Sequence, residues 1–104
     1  MKRRVVWADG ARADYLGIVR HIARENLDAA ERVARRIERA AAGLAEFATG
    51  RVGRVKGTYE KVLPGLPYIP AYEIVGRPEG GETVAVPHVI HGARDWPAEQ
   101  WPQE

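Results

Sequence analysis

The hydrophobic period of this chain changes once, near Gly50, and that change limits the fold more than any other feature. Before it, apolar residues recur every three or four positions. Ala11, Tyr15, Ile18, Val19 and Ile22 form one helical stripe; Val33, Ile37, Ala40 or Ala41, Leu44 and Phe47 form a second. After it the helical spacing is gone, and short apolar runs are divided by glycine and proline. Helices followed by strands, without alternation, specify an α+β fold.

Local signals place the elements. Arg4 to Ala8 is a short strand, and Asp9 is positioned to cap the helix after it. That helix is expected to stop near Glu25-Asn26. Asp28-Ala29-Ala30-Glu31 reads as a capping box that starts the next, which runs to Thr49-Gly50. The short link makes the helices antiparallel neighbours. Arg51 to Gly57 is a basic glycine loop with room for a short strand. Tyr59 to Leu63, Pro67 to Val75 and Thr83 to His91 are strands, separated by turns at Pro64-Gly65 and Gly76 to Gly81. Pro70 and Pro87 each remove a ladder donor, so Pro70 predicts an edge or bulge and Pro87 a bulge or one-sided pairing. The expected architecture is an N-terminal strand, an antiparallel helical hairpin and a three-stranded antiparallel meander forming one sheet. Residues 1–104 make one domain, with 97–104 as a tail.

Composition excludes several classes of function. The chain has no cysteine, which removes disulfides and thiolate chemistry. No apolar run approaches the ~20 residues of a membrane span. The basic start Met1-Lys2-Arg3-Arg4 meets Asp9, Arg12 and Asp14 too soon for a signal peptide, so a cytoplasmic protein is expected. His21, His88 and His91 show no paired ligand spacing, so no metal is expected. Gly50-Arg51-Val52-Gly53-Arg54 lacks the Lys-Ser/Thr of a phosphate loop, and no cofactor is expected. There is no serine, and the threonines stand in ordinary turn or strand settings, so no nucleophile is paired with a base.

What remains is basic and aromatic: Arg51, Arg54, Lys56, Lys61, Tyr72, His91, Arg94 and Trp96. The basic loop before the strand Tyr59 to Leu63 can lie near the end of the last strand. Cations there would stabilise charge on phosphorus, and His91 or Tyr72 could move protons at a ribose hydroxyl. The same patch would equally bind an acidic protein segment or a nucleic-acid backbone. Against these stand plainer roles. His91 can be a structural hydrogen-bonder, Arg94-Asp95 a surface ion pair, Trp96 a packing plug and Tyr72 a core residue with a polar tip. His21 and His88 read as structural. The arginines of the second helix, Arg32, Arg35, Arg36 and Arg39, read as its solvated face, with nucleic-acid binding as the other reading.

An ordered set of fragments resembles the RelE/ParE toxins of type II toxin–antitoxin modules. It comprises Val6-Trp7; Ala11, Asp14, Ile18 and Ile22; Ala29-Ala30, Val33 and Ile37; Gly50-Arg51-x-Gly53-Arg54-x-x-Gly57-Thr58; Val62-x-Pro64-Gly65-x-Pro67-Tyr68; and Val89-Ile90-His91-Gly92-Ala93-Arg94-Asp95-Trp96-Pro97. It covers residues 4–97. The resemblance implies a helical hairpin on an antiparallel sheet and a cognate antitoxin that binds the toxin in a hetero-oligomer. It implies one of two activities: metal-independent cleavage of mRNA on the ribosome, with His91, Arg94 and Tyr72 at the reaction, or inhibition of DNA gyrase. Nucleases of the family carry Tyr-Arg on the third strand, where this chain has Tyr72-Glu73, and a tyrosine after the last strand, where it has Trp96-Pro97. A carboxylate at 73 would repel phosphate. The expectation is therefore a ParE-like gyrase inhibitor, with Arg51, Arg54, Lys56, Lys61 and Trp96 contacting the target. The alternatives are an mRNA endonuclease and a degenerate member acting only as an antitoxin-bound repressor partner.

Overall fold

The computed structural model describes residues 3–92. Its elements are β1 (Arg4–Trp7), α1 (Asp9–Ala23), α2 (Leu27–Gly43), β2 (Arg51–Val52), β3 (Tyr59–Glu60), β4 (Tyr68–Gly76) and β5 (Glu82–His91). The strands form one sheet in the order β1-β5-β4-β3-β2. The α+β class holds, but the sheet is mixed. β1 lies parallel to β5, with Arg4 opposite Thr83 and Trp7 opposite Val86, while every other pair is antiparallel.

The helix ends differ from the sequence expectation in instructive ways. Asp9 does not cap α1; Ala8 holds the cap position without a side-chain bond. Asp9 instead sits in the first turn, where its charge favours the positive end of the helix dipole. α2 is capped by Asn26, whose Oδ1 accepts from the Ala29 amide at 2.9 Å, and not by the Asp28 box. Asn26 has the extended backbone a cap requires, whereas Asp28 is already inside the helix. α2 also stops at Gly43, six residues short of Thr49. Leu44 is still buried, but Phe47 is 71% exposed and leaves the stripe it was assigned to.

The two prolines are accommodated by the sheet. Between the pairs Ala71–His88 and Glu73–Ala85, β4 takes two steps and β5 takes three, so β5 carries a bulge beside Val86-Pro87. β1 pairing ends at Val86, whose carbonyl accepts from Ala8 at 2.9 Å, so Pro87 withholds no donor from that neighbour. Pro70 is not on an edge strand, but the irregularity between Ala71 and Glu73 lies just past it, so of the two expectations the bulge holds. Its carbonyl accepts from the Lys61 amide at 2.9 Å, so its donorless nitrogen faces the side where β3 has already ended at Glu60.

The core lies between the sheet and the helical hairpin. Ala11, Leu44, Tyr72, Val84 and Val86 are each at most 1% exposed and form one cluster, flanked by Val5, Trp7, Ala48 and Ile74. Tyr15 of α1 meets Glu38 of α2 through its hydroxyl, as antiparallel helices require. Asp14 on α1 ties that helix to β5. Its Oδ2 accepts from the Val89 amide at 3.0 Å and lies 3.2 Å from Nδ1 of the buried His88. His88 is thus structural, as expected.

Candidate functional site

The basic glycine loop is organised by a carboxylate. β2 and β3 are two residues each, with Arg51 opposite Glu60 and Val52 opposite Tyr59. The loop between them is closed by Gly53 N donating to the Thr58 carbonyl at 2.8 Å and by the Thr58 hydroxyl donating to Val55 at 2.6 Å. Glu60, 2% exposed, receives Arg51 Nη2 at 3.0 Å and the Arg54 amide and Nε at 3.0 and 2.9 Å. Burial alone would raise the Glu60 carboxyl. The Arg54 and Arg51 bonds, with the Arg54 charge, outweigh burial and hold it below its usual value. Arg51 and Arg54 are therefore brought together, as the loop sequence suggested, but around an internal anion. Arg51 remains 58% exposed and Arg54 23%.

Tyr72 is turned inward and is 1% exposed, so it has no wet tip. Its hydroxyl lies 2.9 Å from the Thr49 carbonyl and 3.1 Å from that of Ala48, and its ring stacks on Tyr59 at 5.5 Å. Burial raises its pKa, with Tyr59 adding and Arg3 opposing. Gly50 explains why no side chain interrupts this contact: a Cβ there would meet the Glu60 carbonyl at 2.8 Å and the Tyr72 hydroxyl at 2.9 Å. Gly50 was expected to end a helix. It is needed instead where the chain crosses Tyr72. Lys61 Nζ donates to the Thr49 hydroxyl at 2.6 Å, and Lys56 is exposed on the loop.

His91 stands elsewhere. It ends β5 opposite Tyr68, with the rings edge to face at 5.5 Å. Glu60 is level with Ala71 and His88, so His91 lies about 10 Å further along the strands and about 10 Å across the sheet. The loop carrying Arg54 extends from the opposite end of β3. His91 and the loop cations therefore stand at different levels of the sheet. Arg94 and Trp96 lie outside the described residues. Glu60, which the sequence analysis did not single out, is the residue it missed. The signal was a lone carboxylate in a strand segment beside two Gly-Arg steps.

Near this network the surface is apolar as well as basic. Val52 is 79% exposed, Phe47 71% and Tyr59 39%. Among the described residues no group of His, Asp and Glu could hold a metal, and no helix is long and apolar enough to cross a membrane.

A helical hairpin on a mixed five-stranded sheet is also the fold of a chain from the "Chromosomal ParDE TA system from P. aeruginosa". The match has a TM-score of 0.73 at 18% identity, over 86% of this chain and 96% of that one. Residues 5–96 match the family described as "ParE toxin of type II toxin-antitoxin system, parDE". The chain is 38% identical over 99 residues to "Putative toxin Y4kP" of Sinorhizobium fredii (strain NBRC 101917 / NGR234), covering 92% of this chain and 95% of the relative. The protein belongs to the ParE toxin family of type II toxin–antitoxin systems.

Proposed function

We propose that this ParE-family toxin arrests growth by binding an essential cytoplasmic complex, DNA gyrase, and that a cognate antitoxin holds it inactive in a hetero-oligomer. The observation that carries the reading is how the chain uses the side chains a metal-independent nuclease of this kind needs. Tyr72 keeps its hydroxyl against two backbone carbonyls, and Arg51 and Arg54 neutralise Glu60. A proton-transfer tyrosine must reach substrate, and a phosphate-binding arginine must not be held by an internal carboxylate. By contrast, the exposed Val52 and Tyr59, with Arg51 and Lys56, offer an apolar patch with a cationic rim, which suits a protein surface.

The test is expression of the chain alone, followed by a supercoiling assay with the purified protein. The expected result is growth arrest, inhibited supercoiling, intact mRNA in a translation extract, and arrest that persists in His91→Ala. Codon-dependent mRNA cuts lost in His91→Ala or Arg94→Ala would replace gyrase with the ribosome. Absence of growth arrest would leave a repressor partner only.

A further inference from the structure

A cleft between β1 and the two helices combines an aromatic wall with two opposite charges. Its volume is about 370 Å³, and it is lined by Val5, Trp7, Arg12, Tyr15, Glu38 and Ala42. This is within the ~300–1,000 Å³ of ligand clefts. The alternation of β1 turns Val5 and Trp7 towards the helices, where they pack against the core, and leaves Val6 on the other face. Arg12 and Tyr15 are three residues apart on α1, so they share a face and stand about 4.5 Å apart along its axis. The Trp7 and Tyr15 rings meet edge to face, with centroids 5.6 Å apart. The Tyr15 hydroxyl donates to Glu38 Oε2 and so fixes that carboxylate beside the rings. Among the described residues, Glu38 Oε1 and the Arg12 guanidinium have no hydrogen-bond or ion-pair partner, and the two are not paired with each other.

The geometry points to this cleft as a binding site for a free α-amino acid with an aromatic or large aliphatic side chain. The ammonium would meet Glu38 Oε1, the carboxylate Arg12, and the side chain Trp7, Val5 and Ala42. A simple anion would be opposed by Glu38, and a simple cation by Arg12. An uncharged ligand would strip water from both groups and give nothing back. A peptide terminus brings one of the two charges, and a free amino acid brings both on adjacent atoms. The inference goes beyond the target proposed above and shares no residue with the patch assigned to it.

The test is calorimetric titration of the full chain with L-phenylalanine and two analogues. N-acetyl-L-phenylalanine keeps the carboxylate and lacks the ammonium; L-phenylalaninamide is the reverse. The expected result is saturable binding of L-phenylalanine, with a melting temperature that rises with its concentration. Each analogue should bind about tenfold more weakly. Arg12→Gln should weaken L-phenylalanine about tenfold and leave L-phenylalaninamide unchanged. Glu38→Gln should weaken L-phenylalanine by a similar factor and leave N-acetyl-L-phenylalanine unchanged. Arg12 is exposed, so Arg12→Gln should not change the melting temperature of the free protein, and it tests the site without touching the bond between Tyr15 and Glu38. Absence of saturation with L-phenylalanine would overturn the proposal. So would either analogue, or glycine, binding as tightly as L-phenylalanine, or an unchanged affinity for L-phenylalanine in Arg12→Gln.

Discussion

The β4–β5 and β2–β3 pairs belong to the same sheet but are held by different forces. β4 and β5 run nine and ten residues, and Ile69, Ala71, Val84, Val86, Val89 and Ile90 are buried along them. β2 and β3 run two residues each, and three of the four are exposed. The fourth is Glu60, a carboxylate. Where there is area to bury, the hydrophobic effect fixes the strands. Where there is not, one anion and two guanidinium groups fix them through geometry. The first kind of support is shared with the whole core. The second is local, directional and sensitive to pH.

Substitutions separate the two kinds. The largest effect is expected for Ile90→Ala, which removes a buried side chain from β5. It should cost about 2–5 kcal/mol in denaturant unfolding and raise amide exchange across the whole sheet. Glu60→Gln comes next, with about 1–3 kcal/mol lost. The loss should be confined to exchange at Val52, Tyr59 and the loop, with β5 amides unchanged. Equal loss of protection in β5 would mean that the edge hairpin is part of the core. A smaller effect follows from acid. The Glu60 carboxyl is held below its ordinary value of 4.5, so its contribution is fully present above that pH and is lost as pH falls through the folded value. Hairpin protection should stay flat above that pH and decline below it before β4–β5 does, and Glu60→Gln should abolish the difference. The smallest effect is expected for Arg51→Ala: with 58% of its side chain exposed, it should change stability by ~1 kcal/mol or less.

Alkaline titration sharpens the contrast from the helical side. Burial, then the Glu38 hydrogen bond and charge, push Tyr15 up to about 12. Tyrosinate absorbance should show one group ionising near 12, and Glu38→Gln should lower it. The folded value lies above the ordinary one, so this contribution is complete below pH 10 and disappears as pH rises towards 12.

Much of the fold was legible in the sequence because periodicity reports burial. The first helical stripe, the second as far as Leu44, the switch near Gly50, the two long strands and the turns at Pro64-Gly65 and Gly76 to Gly81 all stand where expected. Three things were not legible. The parallel pairing of β1 with β5 links residues 79 positions apart, and no local pattern encodes it. The early end of α2 was hidden because Phe47 keeps the helical spacing while standing in solvent. The site was the least legible. Charge counting finds Arg51, Arg54 and Lys61, but it cannot show that Glu60 and Thr49 already hold them. Nor does it show that His91 ends a strand at a different level of the sheet.

The parallel pairing of β1 bears on how this toxin is made. β1 takes its place beside β5, and it finds that neighbour only when Thr83 to Val86 have been synthesised. Val84 and Val86, which complete the cluster around Tyr72, arrive at the same late moment. A nascent chain interrupted before that point has neither its outer strand nor its centre. A cell translating this message therefore meets no folded toxin until Thr83 to Val86 have been built.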